Sequence, residues 1–277
     1  MAHENQFNFL KQIKAICPNY FTNKSVLEIG SLDINSTEGG CLPRSLFADC
    51  NYVGIDLGEG RGVDIVCGGH EYDAPDSSMD VVLSCEVMEH NPYWQETFAN
   101  MVRMCKPGGL VIMTCATVGR PEHGTANIES YASPITTALN WNYYRNLTAK
   151  NFADAGLLSS FGSYRFFYSW RKYDLYFCGI IGDHDVSFDV ELNELSRYYN
   201  TKNYRTIRGI RHFAKALVRA RNGNFAHLFQ DMQYYKFAKE EMNEFSSACI
   251  LIQWANMTKL SKDFTGLMHG YGWPMYK

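Results

Sequence analysis

The sequence has no long apolar run. No stretch reaches the ~18 apolar residues that a membrane-spanning helix needs, so no membrane span is expected. The opening residues, Met1-Ala-His-Glu-Asn-Gln6, are polar and no apolar stretch follows them, which argues against a secretory signal. Surplus charge is missing as well: charged residues make up 20% of the chain and the formal net charge is −3. A nucleic-acid partner calls for a basic surplus, so none is expected. The nine cysteines are scattered from Cys17 to Cys249 and contain no Cys-x-x-Cys pair. An odd, dispersed set reads as free thiols in a reducing cytoplasm rather than as a disulfide frame or a zinc site. Repeats and low-complexity linkers are absent too. Aromatic residues are plentiful, at 14% with 18 tyrosines, which predicts an aromatic-rich core or cleft. A length of 277 residues suits one α/β domain with an elaboration, or two small domains.

The chain is organised around Val26-Leu-Glu-Ile-Gly-Ser31. Val26 and Leu27 read as the end of a buried strand, Glu28 is an acid where it stops, and Gly30 permits a sharp turn. A second strand, Asn51 to Asp56, closes on another acid. Strand, glycine turn, short helix, strand and acid is how an α/β fold holds the ribose of an adenosine-containing cofactor. Upstream, Phe9, Leu10, Ile13 and Ile16 recur at helical spacing until Pro18 ends the run. Downstream come a polar loop over 31–40, a short helix over 42–48, and strands over 63–66 and 80–84. Asn91 and Pro92 read as the N-cap and first position of a helix whose apolar face is Trp94, Phe98, Met101, Val102 and Cys105. Lys106-Pro-Gly-Gly109 breaks it before a fifth strand over 110–115. Strands that alternate with helices and are near-continuously apolar imply a parallel sheet covered on both faces.

Residues 116–147 form a long irregular segment, which in a compact domain is usually functional. Thr148 reads as the cap of a helix that stops at Gly156. Residues 161–170 and 174–181 read as two aromatic strands. From Gly182 onward the chain reads as mostly helical, with Lys202, Arg205, Arg208, Arg211, Lys215, Arg219 and Arg221 on a segment free of acids. The expected organisation is an N-terminal helix over 1–23, a cofactor domain over 24–182 and a helical extension over 183–277. The extension offers an interface for a homo-oligomer.

Five pieces together carry a family resemblance: Val26 to Gly30, Tyr52 to Asp56, Met79 to Ser84, Glu86-Val-Met-Glu-His90 and Lys106 to Met113. The chain resembles the class I S-adenosyl-L-methionine-dependent methyltransferases over residues 24–182. The resemblance implies a Rossmann-like, seven-stranded, mostly parallel sheet closed by an antiparallel pair. It implies that Glu28, Gly30 and Ser31 face the methionine end, that Asp56 with Leu57 holds the ribose, and that Gly69 and His70 cradle adenine. Cys85 and Glu86 would sit beside the sulfonium, and S-adenosyl-L-homocysteine would be the product. The family's later glycines are replaced here by Leu32 and Ile34. A dinucleotide would need those glycines to bring backbone amides to a pyrophosphate, so a nicotinamide cofactor is disfavoured.

Methyl transfer to a hydroxyl usually needs a proton removed, and histidine is the natural base. His90 is the first candidate and His123 the second, each weighed against simple packing. Glu89 and Glu86 could orient His90 or bind substrate. A carboxylate–histidine pair can also ligate a metal, but with no further close-spaced ligand no metal is expected. Tyr143, Tyr144 and Arg145 are candidates for the acceptor wall, and Arg208 for an anionic acceptor. Ser84-Cys-Glu-Val stands where an Asp-Pro-Pro-Tyr motif would mark amino-group methylation of a base or glutamine. The expected reaction is O-methylation of a sugar or other small metabolite in the cytoplasm. N-methylation of a small molecule, or a binding protein without turnover, stands as the alternative.

Overall fold

The computed structural model describes residues 4–34, 42–117, 120, 122–126, 128–169 and 173–199. All of them belong to the first of two compact units, Met1–Tyr199. Arg208, the basic segment 202–221 and the interface expected of the C-terminal helices lie outside the described residues.

The helical spacing of Phe9, Leu10 and Ile13 yields α1 (Glu4–Ile16), with those three side chains buried. Pro18 ends it and opens a single 3-10 turn, Pro18–Phe21. The apolar runs become β1 (Ser25–Ile29), β2 (Asn51–Asp56), β4 (Met79–Cys85) and β5 (Cys105–Ala116), with a two-residue β3 (Ile65–Val66) between β2 and β4. The helix expected over 42–48 is only the 3-10 turn Pro43–Leu46. Helix α2 (Trp94–Met104) begins later than Asn91-Pro92 implied. The reason lies in the Asn91 side chain, whose Oδ1 accepts the N–H of Tyr93 at 2.8 Å while its Nδ2 donates to Thr97 Oγ1 at 2.8 Å. It closes a turn ahead of the helix instead of capping it. Short helices α3 (Pro134–Ala138) and α4 (Ala149–Asp154) follow, then β6 (Phe161–Ser169), β7 (Asp174–Ile181) and α5 (Val186–Tyr199). Asn151 Oδ1 accepts the N–H of Thr148 at 2.9 Å, fixing the start of α4 as its sequence suggested.

The seven strands form one sheet in the order β3-β2-β1-β4-β5-β7-β6. Neighbours from β3 to β5 are parallel, whereas β7 runs antiparallel to both β5 and β6. This is the Rossmann-like, mostly parallel sheet expected from the sequence. The chain steps outward from β1 through β2 to β3, then returns to the other side of β1 for β4. The sheet therefore has its switch point between β1 and β4, where a doubly wound fold opens a crevice at the carboxyl ends of its strands.

The core is aromatic, as the composition implied. On one face Phe9 stacks on Tyr176 at 4.7 Å between ring centroids, and Phe21 on Phe47 at 4.4 Å. On the other, Phe98 meets Phe152 and Phe177 at 5.0 and 5.4 Å. Each such ring removed from water stabilises the fold by roughly 1.5–3 kcal/mol. Helix α5 adds Phe188, Leu192 and Leu195 to the core that holds Phe9 and Tyr176. Residues 186–199 thus pack with the sheet. No described helix is long and apolar enough to cross a membrane.

Candidate active site

The crevice at the switch point is built by strand ends. After β1, Gly30 turns with φ +81°, and the N–H groups of Gly30 and Ser31 donate to Ile55 O at 2.8 and 3.1 Å. A Cβ on Gly30 would lie 2.0 Å from Val87 Cγ2, so glycine is required there for space as well as for backbone angle. At the end of β2, Asp56 Oδ2 accepts the N–H of Leu32 at 3.0 Å and Oδ1 accepts that of Leu57 at 2.7 Å. Burial raises the Asp56 pKa, and hydrogen bonds from the Leu32, Leu57 and Gly58 amides oppose the rise. The carboxylate is thereby held in one orientation, and each oxygen keeps acceptor capacity for a ligand hydroxyl.

Glu28 is 5% exposed and accepts a hydrogen bond from Tyr52 Oη at 2.7 Å. Burial pushes its pKa up to about 7, against the lowering effect of that hydrogen bond. After β3, His70 stacks on Tyr93 at 4.3 Å and 12°, with the Trp141 ring 6.2 Å away. The Gly69 backbone passes so close to Ile29 and Thr97 that a Cβ would lie 2.5 and 2.8 Å from their methyl groups. After β4, Cys85 is a buried thiol whose pKa burial raises. Glu86 adopts φ +58°, a left-handed conformation that is costly for a residue with a Cβ and typical of functional positions. Its Oε2 lies 3.9 Å from Arg120 Nη2, and Arg120 Nη1 donates to Asp174 Oδ1 at 2.6 Å.

All nine cofactor candidates, Glu28, Gly30, Ser31, Asp56, Leu57, Gly69, His70, Cys85 and Glu86, line one cleft of about 1050 Å³, open solvent included. That is ample for an ordinary small-molecule ligand. His90 lines it too, as do Val87, Asn91, residues 132–136 and Trp141. The wall made by 132–136 went unrecognised in the sequence. Its signal was Ser133-Pro134, a helix start inside a segment otherwise read as irregular.

Of the catalytic candidates only His90 lines the cleft; Glu89 and His123 do not. Glu89 is fully buried and its carboxylate oxygens have no hydrogen-bond partner. Burial and, after it, the charge of Glu86 raise its pKa. His90 is 3% exposed, with neither ring nitrogen hydrogen-bonded. Its ring stands edge-on to His123 at 4.9 Å and 88°, and Tyr144 packs against the two histidines at 5.5 and 5.0 Å. Burial first, then His123 and Arg120, pushes the His90 pKa down to about 2. The three acceptor-wall candidates separate. Tyr144 meets the histidines and donates from Oη to Asn146 Oδ1 at 2.9 Å. Tyr143 is half-buried, and neither it nor Arg145 lines the cleft. Arg145 is exposed, its guanidinium 5.9 Å above the Trp94 ring.

Residues 40–113, which run from before β2 into β5, match the family described as a methyltransferase domain. Over those residues the chain carries a methyltransferase domain. Among solved structures it is similar to phosphoethanolamine N-methyltransferase 2 of Haemonchus contortus, crystallised with phosphomonomethylethanolamine and S-adenosylhomocysteine. There the identity is 17% over 65% of this chain and 53% of that one, with a TM-score of 0.45. The same protein with S-adenosyl-L-methionine gives a TM-score of 0.44. The 1,6-didemethyltoxoflavin-N1-methyltransferase of Burkholderia thailandensis is 10% identical over 66% of this chain and 92% of that one, with a TM-score of 0.41. The match spans about half the length, 53%, of the Haemonchus protein. No curated protein matches the chain.

Proposed function

We propose that the methyltransferase domain moves a methyl group from S-adenosyl-L-methionine to a hydroxyl of a small-molecule acceptor, a sugar or another metabolite. The observation that carries this reading is the position of His90. It lines the cofactor cleft with Cys85 and Glu86, while its ring meets His123 and Tyr144. The cleft's donor set fits the cofactor: carboxylates stand at the strand ends, and both Asp56 oxygens keep acceptor capacity toward ribose hydroxyls. When bound, S-adenosyl-L-methionine would supply the methyl group from its sulfonium sulfur, which would keep the bonding pair as the thioether of S-adenosyl-L-homocysteine.

The chain's own residues do the rest. Glu28, once ionised, suits the ammonium group, with Gly30 and Ser31 at the same end. Asp56 and Leu57 hold the ribose. Gly69 and His70 border adenine, with the stacked Tyr93 behind His70. Cys85 and Glu86 flank the reacting end. His90 or His123 accepts the hydroxyl proton, and alignment of acceptor and methyl contributes the remainder. Burial leaves His90 neutral but weakly basic, which shifts the base role toward His123. The same weakness supports a second reading, an amine acceptor, whose neutral form needs a less basic partner. We place the reaction in the cytoplasm, on a small molecule and not on nucleic acid. The net charge of −3 and the free thiols at Cys17, Cys50, Cys67, Cys85, Cys105, Cys115 and Cys178 suit that setting.

Thermal melting with S-adenosyl-L-methionine, S-adenosyl-L-homocysteine and NAD tests the cofactor. Stabilisation by the two sulfur compounds and not by NAD is expected, and no stabilisation by either would sink the reading. Transfer of a labelled methyl group to panels of hydroxyl and amine acceptors then separates the two acceptor classes. His90→Ala and His123→Ala should lower turnover with cofactor affinity nearly intact.

A further inference from the structure

We propose that Glu89, His90 and His123 form a site for one divalent transition-metal ion beside the cofactor cleft. One ligand atom from each residue lies within 4.8 Å of the others, and all three residues are buried. Two imidazoles and a carboxylate with open positions form a set that suits ions such as Mn²⁺, Fe²⁺, Co²⁺ or Zn²⁺. A metal–ligand bond of about 2.0–2.2 Å calls for a modest convergence of these atoms, within the reach of side-chain torsions.

Several features point to a cation at this place. Both oxygens of Glu89 and both ring nitrogens of His90 are buried without a hydrogen-bond partner. Burying a carboxylate and an imidazole in that condition is costly, and a bound cation removes the cost for both at once. Glu86, Glu89 and Asp174 all interact with the charge of Arg120. Glu86 is left out of the ligand set because it faces Arg120 at 3.9 Å.

The frame is rigid where the ligands need it. Glu89 and His90 sit on the 3-10 turn Met88–His90 directly after β4. The Glu89 carbonyl accepts the N–H of Arg145 at 2.8 Å. Gly124, beside His123, approaches His90 so closely that a Cβ would be 2.7 Å from its Cε1. The expectation of no metal was based on spacing along the chain, and the fold supplies His123 from a distant loop. The site stands on this geometry by itself. Its use rests on the methyl-transfer reading above: with the ion bound, the metal would acidify the acceptor hydroxyl as a Lewis acid, in place of proton removal by either imidazole.

The test uses the full chain, stripped with EDTA, dialysed and titrated with Mn²⁺ by calorimetry. Mn²⁺ is the probe because free thiols compete for softer ions. One ion per chain is expected. Glu89→Gln and His123→Gln should each weaken binding by more than the ~10–100-fold that loss of a ligand's outer partner costs. Melting in EDTA controls for folding: Glu89→Gln should melt no lower than the natural chain, since the amide removes a buried charge. Mn²⁺ should raise the melting temperature of the natural chain and of neither variant. A natural chain that binds no Mn²⁺, or variants that bind it equally well, overturns the site. Cofactor affinity measured in EDTA keeps the two ideas apart. Its absence alongside intact Mn²⁺ binding would strike the methyl-transfer reading alone, leaving the metal site standing.

Discussion

Tyr52 on β2 donates a 2.7 Å hydrogen bond to Oε2 of Glu28, a cleft-lining residue on the neighbouring β1. The phenol supports the ionised carboxylate while burial opposes it, and the balance leaves Glu28 with a pKa of about 7. Because this value is raised above the ordinary one, the protonated form is favoured by the fold. The associated stability is fully present below about pH 4.5 and is lost as pH rises through 7, a span worth on the order of 3 kcal/mol. Cofactor binding has the opposite slope, since the ammonium group wants the carboxylate ionised. Affinity for S-adenosyl-L-methionine should climb as pH rises through 7, and Glu28→Gln should flatten both profiles. Tyr52→Phe removes the donor and should move the midpoint upward. Calorimetry and melting curves from pH 5 to 8 read all three, and a natural chain with flat profiles would refute the account.

Asp56 spends one acceptor position of each oxygen on the amides of Leu32 and Leu57. Its substitution should therefore act twice. Asp56→Ala should cost cofactor affinity by roughly 1.5–3 kcal/mol, the worth of a hydrogen bond to a charged group. It should also lower the melting temperature of the cofactor-free protein, because the amides of Leu32, Leu57 and Gly58 lose their partner. Asp56→Asn keeps one acceptor oxygen and should fall between. Unchanged affinity in Asp56→Ala would remove Asp56 from the ribose role.

The sheet was legible in the sequence because its signals are local. The apolar runs before Gly30 and Asp56 stop at those residues, and both line the cleft. Every cofactor candidate named from strand ends lies in one cleft. What failed depended on side-chain choices that spacing does not encode. Asn91 reads as a helix cap, yet it closes a turn and bonds Thr97. Arg145 reads as an acceptor-wall residue beside Tyr144, yet it lies over Trp94 while Tyr144 meets the two histidines. The meeting of His90 with His123 has no sequence periodicity at all, since an irregular loop brings them together. Arg120 and Asp174 were not singled out for the same reason, and their pairing joins the loop after β5 to the start of β7.

Gly30 allows a test of whether space or backbone angle dominates at the first turn. Gly30→Ala forces a side chain into φ +81°, costing roughly 1–2 kcal/mol, and displaces Val87, adding about 1–3 kcal/mol. At about 2–4 °C per kcal/mol for a domain of this size, the melting temperature should fall clearly. Adding Val87→Ala to Gly30→Ala should recover the steric part and leave the backbone part. A double variant no more stable than Gly30→Ala would mean that Val87 is not what confines the position.

Arg120 is the cation between Glu86 and Asp174, and its side chain is 18% exposed against 0% for both carboxylates. Deleting a partner from a buried ion pair is far more costly than replacing the pair. Arg120→Met should destabilise by about 3–5 kcal/mol, because Asp174 loses its 2.6 Å donor and Glu86 a cation at 3.9 Å. Asp174→Asn in the same chain should recover much of that loss. The amide carries no charge, and its oxygen can still accept from Tyr176 Oη, which now lies 3.1 Å from Asp174 Oδ2. Denaturant unfolding of the single and double variants gives the coupling directly. If the second substitution lowers stability further by its own independent amount, the two residues act separately, and the ion pair is incidental to holding the left-handed Glu86 turn that lines the cleft.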